Sequence, residues 1–243
     1  MESRSRELIG NRLALAGAVL YFMEWIVIVV APSLPTDKLG HDPAAIAAAY
    51  TDHPARTALL AGWLSFVLLG RILFCVGVRN ALRDSGRPSA LADWAVAVMT
   101  VSVTIEVVDY ALVASAAWLA QAHGAIGAIV ALDAAGTLLF HIVIAPVGIA
   151  VVACSAAMLM SGLFRRWLCV LGMIAGPLLV AGGVVGASAQ GSSGGFHDLG
   201  AALEGPPVGI WWLWTIATAL VLFRAAPRRA KSTQPAPSPA IAR

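Results

Sequence analysis

Long apolar stretches recur along the chain, separated by shorter segments that carry most of the charged residues and prolines. A helix needs roughly 20 consecutive apolar residues to cross the hydrocarbon core of a membrane. We count six stretches of about that length, which predict an all-α, polytopic integral membrane bundle forming one domain over residues 13–225. The predicted transmembrane helices are residues 13–31, 57–78, 92–120, 135–160, 168–189 and 208–223.

Two shorter helices are predicted between these spans. In the first loop, Asp42 followed by Pro43 is typical of a helix start, and small residues continue to Tyr50. We expect this short amphipathic helix to lie along the membrane surface. The apolar segment from Ala125 is too long for one straight span, so we predict a short interfacial helix over residues 125–132. Asp133 would then be the N-cap of the fourth span.

Composition supports a membrane protein and excludes several other classes. Hydrophobic residues make up 59% of the chain and charged residues 12%, and mean hydropathy is +0.82. Soluble globular domains have about 45–50% hydrophobic residues and about 25% charged residues. A net charge of +3 gives no reason to expect nucleic acid binding. Three cysteines at spacings unlike any zinc site are expected to be reduced thiols in the core. No metal and no cofactor is predicted.

The distribution of basic residues predicts the orientation. With six spans, alternate loops and both tails lie on the same side of the membrane, and thirteen of the sixteen Lys and Arg residues fall on that side. Lys38 and Arg56 fall on the other side, and Arg71 lies inside a span. Cytoplasmic loops carry the excess of basic residues, so both termini are predicted to be cytoplasmic, with the first loop outside. We expect a short cytoplasmic tail over residues 1–12 and a disordered one over 226–243. The predicted location is the bacterial plasma membrane.

Several ionisable residues fall inside the predicted spans, where each costs about 2.5–3.5 kcal/mol on insertion scales. Glu106, Asp109 and Tyr110 share one helix face by their i, i+3, i+4 spacing. Counting residues along the spans places Glu24 and His141 in the same middle-to-outer layer. We predict that Glu106 and Asp109 share a polar cavity with Glu24 or His141. Carboxyl groups crowded in such a site cannot all ionise, so we expect at least one to hold a proton.

Weaker candidates complete the predicted site. Arg71 either pairs with Glu106 or extends its side chain to the cytoplasmic headgroups. Trp25 and Trp63 lie deeper in their spans than the other tryptophans and are candidates to line a cavity. In the fifth span, Gly172-x-x-x-Gly176 and Gly182-x-x-x-Gly186 are expected to let helices of the same molecule pack closely.

Three functions remain open from the sequence. The first is a non-enzymatic membrane protein whose acidic site binds or moves a small amphiphile, a cation or a proton. The second is a membrane-embedded enzyme that uses Glu24, Glu106 or Asp109 for acid–base chemistry on a lipid or isoprenoid, as terpene cyclases do. The third is a structural or accessory subunit whose polar network only specifies packing. The bilayer is the predicted partner; the sequence does not specify an oligomeric state.

Two segments resemble a family of bacterial multi-pass membrane proteins known as domain of unknown function 4386. The first is Asn11-Arg-Leu-Ala-Leu-Ala-Gly-Ala-Val-Leu-Tyr21. The second is Asp42-Pro-Ala-Ala-Ile-Ala-Ala-Ala-Tyr50 followed by Arg56-Thr-Ala-Leu-Leu-Ala-Gly62. The resemblance covers about the first five spans. It implies a helical membrane fold in which a small-residue loop helix leads into the second span, and it implies no activity.

Overall fold

The computed structural model describes residues 2–26, 42–51, 54–189 and 195–232, and all its regular elements in these ranges are α-helices. They are α1 (Glu2–Phe22), α2 (Pro43–Thr51), α3 (Pro54–Val67), α4 (Leu69–Asp84), α5 (Ala90–Gln121), α6 (Ile126–Ser161), α7 (Arg166–Ala189) and α8 (Gly195–Ser232). The predicted all-α class is therefore confirmed.

Five helical stretches in the described ranges are long and apolar enough to cross a membrane. They are Pro54–Asp84, which joins α3 to α4, then α5, α6 and α7, and Gly205–Arg224 within α8. The predicted first span, 13–31, runs into residues outside the described ranges and is not among the five, so a total of six spans stays a prediction. Large apolar side chains such as Leu59, Met160 and Leu213 point outward, as expected of a surface that faces lipid.

The predicted break before the fourth span is wrong. Helix α6 runs without interruption from Ile126 to Ser161, so residues 125–132 do not form a separate interfacial helix. Asp133 lies inside this helix, 3% exposed, and is therefore not an N-cap. Helix α8 also extends further than expected, since it continues through Ser232 into the predicted disordered tail. The rest of that tail, residues 233–243, lies outside the described ranges.

Close helix packing depends on small residues. A Cβ atom at Gly70 would lie 2.5 Å from the backbone nitrogen of Tyr21, and one at Gly77 would overlap Ala14. These contacts show that α1 and α4 run antiparallel with their backbones in contact. Gly148 faces Gly176, and Gly172 faces Ser155, in the same way between α6 and α7. The expectation that Gly172 and Gly176 serve packing within the molecule is confirmed.

The basic loops meet at one end of the bundle, called here the basic end. Arg87 donates a hydrogen bond to the carbonyl oxygen of Ser161, which joins the α4–α5 loop to the end of α6. Nearby, Arg79 and Arg83 both pair with Asp93. This grouping is the one that the basic-residue pattern requires. The side of the membrane on which this end lies stays a prediction.

Helix α2 lies at the opposite end. Residues Pro43–Thr51 are helical, as predicted, and the backbone N–H of Ala44 bonds to the Asp42 carboxylate at 3.3 Å. The position of this helix on the outer surface of the membrane stays a prediction. Its inner side buries Ile46 and Tyr50 against a small apolar cluster formed by α5 and α6, which includes Ala117 and Ile129. The helix is thus held to the bundle by packing.

Candidate functional site

Two helices are interrupted at the same level of the bundle. The helical pattern of α1 stops at Met23, whose N–H lies 3.2 Å from the carbonyl oxygens of both Val19 and Leu20. The long α3–α4 stretch is interrupted at Leu68, where the N–H of Arg71 bonds to the Leu68 carbonyl at 2.9 Å. Glu24 directly follows the first interruption, and Arg71 lies one turn after the second. The backbone stays helical through Leu68, which keeps the angles φ −60° and ψ −27° and whose N–H still bonds to the Leu64 carbonyl, so the change is a single residue of tighter hydrogen bonding within the helix.

Arg71, Glu106 and Glu24 form an ion cluster, called here the Arg71 cluster. The Arg71 guanidinium bonds to both carboxylate oxygens of Glu106, one of them Oε1 at 3.2 Å from Nη2. The Glu24 carboxylate lies 3.8 Å from Nη2, and all three side chains are at most 13% exposed. Planar two-point pairing of this kind is the strongest that arginine makes with a carboxylate. Of the two sequence-based alternatives for Arg71, pairing with Glu106 is the one observed.

Aromatic side chains enclose the cluster. The guanidinium carbon of Arg71 lies 4.5 Å from the ring centre of Tyr21 and 5.0 Å from that of Trp211, distances at which ring faces attract cations. The Tyr21 hydroxyl accepts hydrogen bonds from Arg71 Nη2 at 3.1 Å and from Trp212 Nε1 at 2.7 Å. These rings therefore contact the cation of the cluster itself.

A small cavity lies beside the cluster. Its volume is about 10 Å³, which is about the space that one water molecule needs. It is lined by Tyr21, Arg71, Phe74, Cys75, Met99, Ala150, Val151, Trp211, Trp214 and Thr215. A cavity of this size cannot hold an isoprenoid chain or a drug-sized amphiphile, whose sites measure about 300–1,000 Å³.

A second group of acidic residues lies between the Arg71 cluster and α2. Asp109 is one turn beyond Glu106 on α5 and 4% exposed, and its Oδ1 occupies the space beside Gly136 on α6. Asp133, one turn before Gly136, accepts a 2.7 Å hydrogen bond from the buried Tyr50 hydroxyl. Burial and this carboxylate raise the pKa of Tyr50 above its ordinary value, so its hydroxyl stays protonated as the donor. We call Tyr50, Asp109 and Asp133 the outer acidic group.

The remaining predicted residues are placed differently. Tyr110 is buried on the same face of α5 as Asp109, and His141 is buried on α6, 5% exposed, with Phe140 edge-on to its ring. Trp63 is partly buried, and its indole N–H lies 3.4 Å from the Met23 carbonyl. Trp25 is 41% exposed and contacts Trp212. The structure thus brings Glu24, Glu106 and Arg71 together, whereas Asp109 lies with Asp133.

Sequence reasoning missed four important residues. The sequence-based predictions give no role to Tyr21 or Trp211, and they make Asp133 a helix cap. Tyr50 was noticed only as the end of a loop helix. The missed signal for Asp133 was its position eight residues into a long apolar helix, which makes it as costly to bury as Asp109.

All three cysteines are free and buried, as expected. Within the described ranges, no group of three or more His, Cys, Asp or Glu residues is placed to hold a metal ion. No family model matches this chain. No curated protein and no solved structure matches it either. The geometry of the site is therefore the basis for a functional proposal.

Proposed function

We propose that this chain is a bacterial plasma-membrane protein that binds and releases protons at the Arg71 cluster and the acidic residues beside it. The basic end would face the cytoplasm, as the basic-residue pattern predicts. Membership of the domain of unknown function 4386 family is part of the proposal. Of the functions that the sequence leaves open, this proposal selects the non-enzymatic membrane protein with an acidic site, and it names the proton as the species bound.

The imbalance of buried charge carries this proposal. Two carboxyl groups, those of Glu24 and Glu106, lie within 4 Å of a single guanidinium, that of Arg71, and a third, that of Asp109, is buried one turn from Glu106 on α5. If all three were ionised, two negative charges would lack a match in Arg71. Unmatched charge in a low-dielectric interior is costly, and a carboxyl group avoids the cost most simply by taking up a proton. Glu106 has the closer pairing with Arg71, so Glu24 and Asp109 are the proton-binding groups.

The helix interruptions at Met23 and Leu68 support the same proposal. They lie next to Glu24 and Arg71, so a small change in either turn would alter the distance of 3.8 Å between the Glu24 carboxylate and the guanidinium. Protonation of Glu24 depends on that distance because a nearby cation favours the ionised form. The site thus has a means of linking proton occupancy to helix position.

The enzyme alternative receives less support. Terpene-cyclase-like chemistry needs aromatic ring faces open to a carbocation and space for an isoprenoid. Here the faces of Tyr21 and Trp211 are directed at Arg71, and the adjacent cavity holds about one water molecule. The third alternative, a purely structural network, is separated from proton binding by the following experiment.

The test is an infrared titration of the purified protein from acidic to alkaline pH, which follows the carbonyl band of protonated carboxyl groups. We expect such a band in the wild type, with one component lost in Glu24→Gln and another in Asp109→Asn. Asp93→Asn, which removes an exposed carboxylate, is the matched control and should keep both components. If the band is absent throughout, or if neither variant changes it, the carboxyl groups bind no proton and the structural alternative is correct.

A further inference from the structure

Two thiols from different helices meet in the interior of the bundle. Cys75 lies on α4 and Cys154 on α6, both are buried, and neither takes part in a disulfide. The side chain of Cys154 has that of Cys75 as its hydrogen-bond partner. A thiol is only a weak donor and acceptor, and cysteine differs from other small apolar residues chiefly in its reactivity. The two sulfur atoms are therefore placed to react with each other.

The third cysteine is placed differently. Cys169 lies on α7, and its thiol lies 3.7 Å from the Arg165 carbonyl oxygen, one turn earlier on the chain. It is as buried as the other two, but it is not among the residues that line the cavity beside the Arg71 cluster. Cys169 therefore offers a buried thiol within the same molecule for comparison with the pair.

Cys75 also lines the cavity beside the Arg71 cluster. Arg71 lies one turn earlier on α4 and lines the same cavity. Its two Nη atoms bond to Glu106 and Tyr21, whereas its Nε is buried without a hydrogen-bond partner in the part of the chain that the structure describes. A thiol and a guanidinium with one N–H to spare thus border a single space of about 10 Å³.

The size of this space restricts the reagent that can reach Cys75. A water molecule needs about this volume, and drug-sized ligands need about 300–1,000 Å³. Hydrogen peroxide is uncharged, is only one oxygen atom larger than water and makes the same kinds of hydrogen bond. When a sulfur atom attacks a peroxide, negative charge develops on the oxygen that leaves. A fixed N–H donor beside that oxygen, such as Arg71 Nε, stabilises this charge.

We propose that Cys75 and Cys154 form a thiol pair that hydrogen peroxide oxidises to a disulfide, with Arg71 Nε binding the leaving oxygen. The Cys75 sulfur attacks one peroxide oxygen, the O–O bond breaks, and the other oxygen leaves with the thiol proton as water. Cys75 is then a sulfenic acid, which a neighbouring thiol converts to a disulfide. The Cys154 sulfur attacks the Cys75 sulfur, the S–O bond breaks, and the hydroxyl group leaves with the Cys154 proton as a second water. Two thiols are oxidised, and one peroxide is reduced to two waters.

The disulfide would join α4 to α6 one turn from Arg71. A disulfide needs Cα atoms about 4.4–6.8 Å apart, and α4 and α6 approach each other within 8 Å between Cα atoms. Thiols that already contact each other therefore need only a small movement of these helices. This thiol chemistry goes beyond the proposed function and does not depend on it, since no step uses the protons of Glu24 or Asp109.

The test counts thiols in the whole purified protein. The reduced protein is treated with hydrogen peroxide, unfolded in the presence of an alkylating reagent and analysed by mass spectrometry. We expect two of the three thiols to be lost, to return on reduction, and to map to a link between the peptides of Cys75 and Cys154. The proposal is wrong if all three thiols survive peroxide that oxidises the denatured chain, or if the link contains Cys169.

Single substitutions separate the two steps. In Cys154→Ala the reaction should stop at the Cys75 sulfenic acid, which dimedone traps as an adduct. In Cys75→Ala both remaining thiols should survive the same treatment. Cys169→Ala is the matched control because it removes a buried thiol outside the pair, and it should still lose both of its remaining thiols. Absence of the dimedone adduct in Cys154→Ala, or loss of thiols in Cys75→Ala, would show that Cys75 is not the residue that peroxide attacks.

A comparison of two peroxides tests the role of the cavity in the wild type, where misfolding of a variant plays no part. tert-Butyl hydroperoxide has the same O–O bond as hydrogen peroxide but carries a bulky apolar group. In the folded protein it should oxidise the pair much more slowly than hydrogen peroxide does, and denaturation should reduce the difference. If the ratio of the two rates is the same in folded and denatured protein, the cavity does not select the reagent and its part in the proposal is wrong.

Discussion

The two acidic regions of this bundle solve the cost of buried charge in different ways. In the Arg71 cluster, a guanidinium is held by Glu106 at two points and by Glu24 at 3.8 Å, and ring faces cover it. In the outer acidic group, Asp133 receives a neutral phenol donor from Tyr50, and Asp109 lies against the backbone at Gly136. The first depends on opposite charge and the second on a neutral hydrogen-bond donor and close packing.

This difference assigns separate roles to the regions. The Arg71 guanidinium lies between two carboxylates and orients the helices that carry them, so the arrangement depends strongly on every member. Under the proposed function, Asp109, whose Oδ1 lies beside the Gly136 backbone, is a group that changes its proton occupancy. Tyr50 comes from α2, the short helix at the opposite end from the basic loops, so the outer acidic group also ties that helix to the bundle.

The largest expected effect is from Arg71→Met. This change leaves two buried carboxylates without their cation, and breaking a buried pair from one side costs about 3–5 kcal/mol of stability. Thermal and denaturant unfolding of the purified protein would measure the loss. The control is Arg83→Met on the same helix, where the side chain is 44% exposed. Equal effects of the two substitutions would show that Arg71 is not a buried partner.

The next comparison uses glycines that support each region. In Gly70→Ala the new Cβ meets the backbone of Gly17 and Tyr21, which cannot rotate away, so helices α1 and α4 must separate. We expect a loss of about 1–3 kcal/mol. In Gly136→Ala the Cβ meets Asp109 Oδ1 at 2.8 Å, and a side-chain atom can move. The effect on unfolding should therefore be smaller.

The control for both glycine variants is Gly62→Ala, where nothing lies within 4 Å of the added carbon. It should leave the free energy of unfolding unchanged or slightly raised, because alanine favours a helix more than glycine does. A larger loss in Gly136→Ala than in Gly70→Ala would contradict the idea that backbone contact supports the Arg71 cluster and side-chain contact supports the outer acidic group.

Hydropathy could predict the helical class and most helix positions because lipid imposes one simple rule on each span. It misplaced the start of α6. Asp133 resembled a cap since Asp is common before helices, and only tertiary contact with Tyr50, 83 residues earlier, shows why it is buried within one. A contact at such sequence separation leaves no local pattern.

The residues of the candidate site were partly predictable because charged groups are costly to bury in a membrane span. The cost of burial identified Glu24, Glu106 and Asp109 as residues that need partners, and it left Arg71 open between Glu106 and the cytoplasmic headgroups. It could not determine which partner each one takes, because i, i+3 spacing places Glu106 and Asp109 on one face without fixing which neighbouring helix each meets. Rotation of α5 directs Glu106 to α4 and Asp109 to α6.

Tyr50→Phe is expected to have an intermediate effect. It removes the donor to the Asp133 carboxylate, and hydrogen bonds to charged groups contribute about 1.5–3 kcal/mol. The folded protein raises the pKa of Tyr50, so the contribution of its hydroxyl is complete below the unfolded pKa of about 10 and declines as the pH rises above it. The wild type should therefore lose stability more steeply than Tyr50→Phe in strongly alkaline solution. Parallel pH dependence of unfolding would contradict this.

The smallest effect should come from Asp93→Asn. Asp93 forms an arginine–carboxylate ion pair like that of the Arg71 cluster, but it lies near the surface. Asp93 Oδ1 is 2.7 Å from Arg79 Nε and 2.8 Å from Arg83 Nη2, distances as short as those of strong buried pairs. The side chains are 27–46% exposed, however, so water already solvates the charges and salt screens them. Such pairs typically contribute about 0–1 kcal/mol. Unfolding measured at low and high salt should show at most this loss, and the loss should shrink as salt is added. The Asp93 pairs and the Arg71–Glu106 pair have the same charges and similar distances and differ mainly in burial. If Asp93→Asn lowered the free energy of unfolding as much as Arg71→Met does, burial would not explain the difference between the two pairs.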